Sequence, residues 1–351
     1  MPATEIVILS GVRTAIGTFG GALSGLAPHE TGTIVAREAL ARAGVDAGRI
    51  GHVMFGNVIN TEPRDMYLSR LAAMGAGVPD TTPAMNVNRL CGSGVQAIVS
   101  AAQALMLGDA DFALAGGAEA MSRAPYALPA ARFGQKMGDA VALDMLTGTL
   151  TCPFGTGHMG VTAENVAAEH DIPREAQDAF ALESQRRAAA AIAAGHFAGQ
   201  IVPVDIKTRK GMVAFDTDEH PKATSAEALS GLRAVFQKGG SVTAGNASGI
   251  NDGAAALVLA RADAAQAAGV TVRARILGYA HAGVRPEVMG IGPVPAVQAL
   301  CARTGLSVGD FDVIESNEAF AAQALAVNKV LGLDPARVNP NGGAIALGHP
   351  V

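Results

Sequence analysis

The chain has 351 residues, 49% of them hydrophobic and 16% charged, with 26 basic against 31 acidic side chains and a net charge of −5. So low a charged fraction excludes long disorder and a broad polyanion-binding surface, and any phosphate-bearing ligand must be held by local cations or backbone N–H groups. The mean hydropathy of +0.28 comes from Ala, Val and Leu spread along the chain; no run approaches the roughly 20 apolar residues of a membrane span.

The opening Met-Pro-Ala-Thr-Glu-Ile-Val lacks the basic and apolar regions of a signal peptide, so a cytoplasmic protein is expected. At roughly 150 residues per domain the length suggests two or three lobes. Glu5–Leu9 reads as a short strand, and Glu30–Ala43 has helical apolar spacing ending at Gly44. Ile50–Phe55 is a second strand, Met66–Met74 a helix and Ala84–Asn88 a third strand. Val95–Leu107 is a strongly apolar helix, and Phe112–Ala115 a strand closed by Gly116-Gly117. This alternation predicts a mainly parallel sheet covered by helices.

Between Glu119 and Gly249 the periodicity loosens. Charge comes in runs, Lys207-Thr208-Arg209-Lys210 and Asp216-Thr217-Asp218-Glu219, which read first as solvated faces. One amphipathic helix follows Pro173 and runs to about Ala194. The βα rhythm then returns with strands at Ala255–Leu259, Arg273–Tyr279 and Asp312–Ile314. Helices are expected near Pro295–Ala302 and over Phe320–Leu331. The two halves share an order of elements, which hints at a duplicated unit around an insertion.

Cys91, Cys152 and Cys301 are too few and too scattered for a disulfide framework or a zinc site. Cys91 stands apart. In AMNVNRLCGSG a strand runs into Cys91 and Gly-Ser-Gly opens the long helix, which puts the thiol at a helix N-terminus, where thiolate is favoured. The glycines admit a ligand carbonyl, and the Cys91 N–H can face an oxyanion. The plainer reading of a cysteine is a buried, inert small hydrophobe. His349, in NGGAIALGHP, is the candidate base; a lone His near a chain end is more often a solvated residue, but here glycines bracket it and a proline follows. Asn317, ahead of Glu318-Ala319-Phe320, is either a helix cap or an amide aimed into a site at the strand ends.

NVNRLCGSG, SNEAFAAQ and NGGAIALGHP, in that order and spacing, resemble the signature blocks of the thiolase family. HMGVTAENVA and SVTAGNASGINDGAAA are similar to thiolase segments as well, and the likeness covers the whole chain, nearest to bacterial biosynthetic β-ketothiolases and acetyl-CoA acetyltransferases. The resemblance implies duplicated α/β halves in a five-layer αβαβα arrangement, with residues 1–118 plus 250–271 as one half, 119–249 as an inserted loop domain and 272–351 as the second half. It implies Cys91 as acyl-accepting nucleophile, His349 as its base and Asn317 as holder of an oxyanion-hole water. His158, Met159, Met289, Ala319 and Phe320 would line the acyl and pantetheine pocket. Phe236, Ala244 and Ser248 would touch pantetheine, and Lys222 the nucleotide end of CoA; without the resemblance Met289 and Phe236 read as core and Ser248 as a turn residue. It implies coenzyme A thioesters as substrates, no cofactor or metal, and a homodimer or homotetramer, with Tyr126–Leu150 contributing to tetramer contacts.

Thiolases of this type carry a second reactive cysteine in a Cys-x-Gly block beyond the GHP motif, and no such block stands within the 351 residues. The expectation is therefore a C-terminally truncated form that acylates Cys91 without condensing. A degradative thiolase for longer acyl chains and a non-catalytic CoA-binding protein remain the alternatives.

Overall fold

The computed structural model describes residues 4–209 and 211–350; Lys210, the end of the first charge run, lies outside them. The centre is an eight-stranded sheet of β1 (Ile6–Thr14), β2 (Gly17–Thr18), β3 (Ile50–Gly56), β4 (Ala84–Val87), β5 (Phe112–Ala120), β6 (Ile201–Val202), β7 (Asn251–Arg261) and β8 (Ala274–Arg275). Its order is β6-β1-β7-β5-β3-β4, with β8 on the free stretch of β1 and β2 on β7.

The sheet is mixed rather than mainly parallel. β3 runs parallel to β4 and β5, but β7 is antiparallel to both β5 and β1. The register explains why: Asp252 pairs with Ala120, so β7 starts at the end where β5 stops, and the segment between them joins the sheet only through β6. A chain that returns without crossing the sheet must run backwards. Gly116-Gly117 also does not end its strand. A Cβ on Gly116 would sit 2.5 Å from the Ala255 carbonyl oxygen and 2.8 Å from the Phe55 ring, so this glycine permits close approach inside a continuing strand.

Helices cover both faces. Helix α1 (Pro28–Ala43) ends at Gly44, whose φ of 63° supplies the left-handed cap. Its Val35, Ala36, Ala39 and Leu40 pack on Phe55, Phe112, Leu114 and Val258. The turn Pro63–Tyr67 leads into α2 (Leu68–Gly75), which lies beside α1. On the other face Ala97, Ala101 and Leu105 of α3 (Ser93–Leu107) meet Met54, Ala113 and Ala115. Consecutive residues of β5 thus serve opposite cores, as a pleated strand requires. Leu90–Leu107 is long and apolar enough to cross a membrane by composition, but here one side of it is core.

The inserted segment holds α4 (Met159–Glu169) and α5 (Arg174–Ala193), the latter beginning after Pro173 as its sequence predicts. Beyond β7 come α6 (Pro293–Thr304), α7 (Ala321–Leu331) and the short α8 (Ala344–Leu347). The strand expected over Arg273–Tyr279 shrinks to β8, which joins the first sheet. That expected at Asp312–Ile314 is a single parallel bridge, Ile314 to Val338. Among the described residues that bridge is what stands for a sheet in the second half; three two-stranded hairpins lie in the inserted segment.

Candidate active site

Cys91 sits in the turn between β4 and α3. Leu90, just before it, has φ of 48°, unusual for a residue with a branched side chain and a cost on the order of 1–3 kcal/mol. Ser93 holds the turn. Its hydroxyl donates to the Leu90 carbonyl at 2.7 Å and accepts the Arg89 N–H at 2.8 Å. Gly56 makes room, because a Cβ there would lie 2.8 Å from Ser93. The sulfur is thereby fixed at the start of α3, facing a cavity of about 440 Å³ lined also by Gly94, Glu119, Asn317, His349 and Pro350.

His349 reaches this cavity on a loop tied to the sheet. Its N–H donates to the Asn251 Oδ1 at 2.9 Å, and the Asn251 amide donates to the Gly17 carbonyl at 2.9 Å. Gly348 has φ of 104°, and a Cβ on it would stand 2.6 Å from the Asn251 amide. Asn317 is presented by the turn before α7, and its Nδ2 lies 3.2 Å from the His349 Nε2. Glu318 joins the two loops underneath. Its buried carboxylate accepts from the Ser184 hydroxyl at 2.7 Å, the Asn339 amide at 2.8 Å and the Ile345 N–H at 3.2 Å.

The electrostatics differ from the expected preformed thiolate. Cys91 opens on the cavity, yet protein walls in the sulfur elsewhere, and this desolvation pushes its pKa above the usual thiol value against the lowering pull of its own backbone N–H. Burial likewise pushes His349 down to about 4. Desolvation disfavours both charges, so the resting pair is neutral thiol and neutral imidazole. Glu119 is pushed up to about 8, chiefly by burial, with the Asp65 and Asp252 charges adding to it and the Val58 and Ile59 N–H groups opposing it.

The remaining sequence candidates fall into separate places. His158 caps α4 by accepting the Gly160 N–H at its Nδ1, 3.0 Å away, and its ring stacks on Phe236 with centroids 4.7 Å apart. Phe236 meets Phe320 edge-on at 6.1 Å, and Met159, Met289 and Ala319 complete the same apolar cluster. Ser248 adjoins it, donating its N–H to the Ala319 carbonyl at 2.9 Å. Ala244 is exposed on the loop before Ser248. Lys222 is not at the Cys91 cavity: it lines a second cavity of about 620 Å³ with Gln185 and Arg186 against α5. Cys152 is buried in a small hairpin and Cys301 lies on α6, so neither thiol lines the Cys91 cavity.

Sequence reasoning missed Glu119, Asn251 and Glu318. Each is a polar residue in a Gly- or Ala-rich block, at Gly116-Gly117-Ala118-Glu119, Gly249-Ile250-Asn251-Asp252 and Asn317-Glu318-Ala319. That pattern is a usable signal, since a polar side chain among small residues at a strand or helix end has few other tasks.

Comparison with known proteins agrees with this geometry. The thiolase N-terminal domain matches residues 6–263 and the thiolase C-terminal domain residues 270–351. The chain belongs to the thiolase family. It is 62% identical over 349 residues to the β-ketothiolase BktB of Cupriavidus necator, covering 99% of this chain and 89% of that one. Among solved structures, the acetyl-CoA acetyltransferase of Bacillus anthracis superposes with a TM-score of 0.97 at 46% identity, covering 99% of this chain and 89% of that one. Human mitochondrial 3-ketoacyl-CoA thiolase in complex with CoA does so with a TM-score of 0.96 at 42% identity, covering 99% and 87%. The mixed α/β architecture is thus the thiolase fold, and the two matched domains adjoin within 263–270, in the short helix and cap that follow β7.

Proposed function

We propose that this thiolase moves acyl groups between CoA thioesters through a thioester on Cys91, in the reversible condensation and thiolysis of short 3-ketoacyl-CoA. The observation that carries the reading is the meeting of Cys91, Asn317 and His349 on one cavity at the start of a helix. The neutral imidazole takes the Sγ proton as sulfur attacks the thioester carbonyl, and the leaving CoA sulfur receives it. Oxygen charge in the tetrahedral intermediate falls beside the α3 N-terminus, where the helix dipole favours it. The sulfur exchanged is chemically like the sulfur released, so transfer runs nearly level in both directions.

The cluster of His158, Met159, Phe236, Met289, Ala319 and Phe320 supplies an apolar wall for the acyl and pantetheine portions, with Ser248 and Ala244 on its loop side. The chemistry uses CoA thioesters as substrates and needs no resident cofactor. A homodimer or homotetramer belongs to the same reading; Phe133 and Met137, 90% and 88% exposed in the inserted segment, support it as contact residues.

The test is incubation with acetyl-CoA followed by peptide mass spectrometry. An acetyl group on the Cys91 peptide, absent from Cys91→Ser and strongly reduced in His349→Asn, is the expected result. Acetylation absent from the wild-type chain, or confined to Cys152 or Cys301, would overturn the proposal.

A further inference from the structure

Away from the Cys91 cavity, three side chains converge, two of them with a buried polar atom left unpaired. His29 is the second residue of α1, Asp65 sits within the Pro63–Tyr67 turn, and Glu62 immediately precedes it. The His29 Nδ1 stands 3.7 Å from the Asp65 Oδ1 and 3.9 Å from the Glu62 Oε1. All three atoms lie within 4.8 Å of one another.

Two of them are orphans. His29 is 7% exposed and Asp65 fully buried, and neither the His29 Nδ1 nor the Asp65 Oδ1 has a hydrogen-bond partner. Leaving such atoms unpaired in a dry site costs about 1–3 kcal/mol each. The other Asp65 oxygen is fully engaged, accepting the Thr61 N–H at 2.7 Å, the Thr61 hydroxyl at 2.8 Å and the Glu62 N–H at 3.1 Å. Those bonds fix the carboxylate with Oδ1 turned toward His29. Arg123 similarly holds the far oxygen of Glu62 at 3.1 Å, which leaves its Oε1 to the site.

The geometry points to a divalent metal site formed by the His29 Nδ1, the Asp65 Oδ1 and the Glu62 Oε1. One imidazole and two carboxylates suit a first-row ion such as Zn²⁺ or Mn²⁺ better than Mg²⁺ or Ca²⁺, which favour all-oxygen sets. Zinc–ligand bonds of roughly 2.0–2.2 Å put tetrahedral ligand atoms about 3.4 Å apart, so the two His29 distances must shorten by a few tenths of an ångström and the carboxylate pair by up to about 1.4 Å, which the partly exposed Glu62 can supply. The Glu62 side chain, 27% exposed, provides the way in. Bound metal would pin the start of α1 to the turn ahead of α2 and would satisfy both orphaned atoms. The site is separate from acyl transfer, so its role is to brace the fold.

The experiment uses the full chain with Cys91 alkylated, stripped by EDTA and dialysed against Zn²⁺ or, for its visible absorption, Co²⁺. One equivalent of Zn²⁺ per chain is expected, with Co²⁺ giving d–d bands and no thiolate charge-transfer band. His29→Gln and Glu62→Gln should each weaken binding by about tenfold or more, and Zn²⁺ should raise the Tm of the parent alone. Equal Zn²⁺ uptake by parent and Glu62→Gln, or none by the parent, would overturn the site and leave a simple imidazole–carboxylate contact. Glu62 is partly exposed, so its variant reports even if His29→Gln fails to fold.

Discussion

The amide nitrogen of Asn317 lies 3.2 Å from the Nε2 of His349, joining loops 32 residues apart in the chain. The contact fixes where the ring sits, and the tautomer decides which partner donates. With its pKa near 4, the ring is a neutral base throughout the physiological range. Replacing the amide by a carboxylate should reverse this. In Asn317→Asp the adjacent negative charge favours imidazolium, and the His349 midpoint in an NMR titration should move upward from about 4. Cys91 acetylation should fall by about 10²-fold or more, the scale of a lost general base, because an imidazolium cannot take the Sγ proton. An unchanged midpoint would mean that the two side chains do not meet in solution.

The neutral state of both partners makes a second prediction about Cys91 alone. A preformed thiolate–imidazolium pair alkylates at a constant rate across the neutral range, because thiolate is already present. A thiol raised by desolvation does not. The rate of Cys91 alkylation by iodoacetamide should climb continuously from pH 6 to beyond the ordinary thiol midpoint. A plateau between pH 5 and 8 would restore the ion pair. Substrate, by displacing water and bringing a carbonyl to the sulfur, is what makes proton transfer to His349 worthwhile.

How much of this could be read from residues alone depends on how local each signal is. The Cys91 turn was legible because a strand, a Gly-Ser-Gly and an apolar helix are consecutive in the chain. The direction of β7 was not, since it is set by the Asp252–Ala120 pairing across more than a hundred residues. Gly116-Gly117 reads as a stop until the Phe55 ring and the Ala255 carbonyl are seen filling the space that side chains would need. The short bridge at Ile314 kept its apolar pattern while lacking neighbours to extend it. Lys222, expected from the resemblance at the nucleotide end of CoA, lines a cavity with Arg186 against α5. Thiol pKa marks a limit of reading residues alone, because a helix N-terminus is visible in sequence and desolvation is not.

Glu119 gives a pH-dependent prediction. Its folded pKa of about 8 lies above the ordinary 4.5, so the folded state holds a proton that the unfolded chain releases between those values. Its contribution to stability is therefore full below about pH 4.5 and lost as pH rises through about 8. Glu119→Gln removes that titration. The Tm difference, variant minus parent, should grow more positive from pH 5 to pH 8, whatever its offset from changed contacts with Val58, Ile59 and Asn57. A difference independent of pH would show the carboxyl to be ionised in the folded protein at pH 5.

Gly343 tests whether Glu318 is what sets the Asn317–His349 contact. A Cβ on Gly343 would fall on the Glu318 carboxylate, which is 2% exposed and has its oxygens engaged by Ser184, Asn339 and Ile345. The carboxylate cannot swing aside without stranding those donors, so Gly343→Ala should cost about 2–4 kcal/mol, combining overpacking with a broken buried network. Gly25→Ala is the control: nothing lies within 4 Å of its added Cβ, and stability should change by less than about 0.5 kcal/mol. Denaturant titration measures both. The same displacement would part the two loops, so at temperatures where Gly343→Ala remains folded its Cys91 acetylation should drop while that of Gly25→Ala holds. A folded Gly343→Ala with parental acetylation would show that Asn317 and His349 are positioned by the Asn251 hydrogen bond alone.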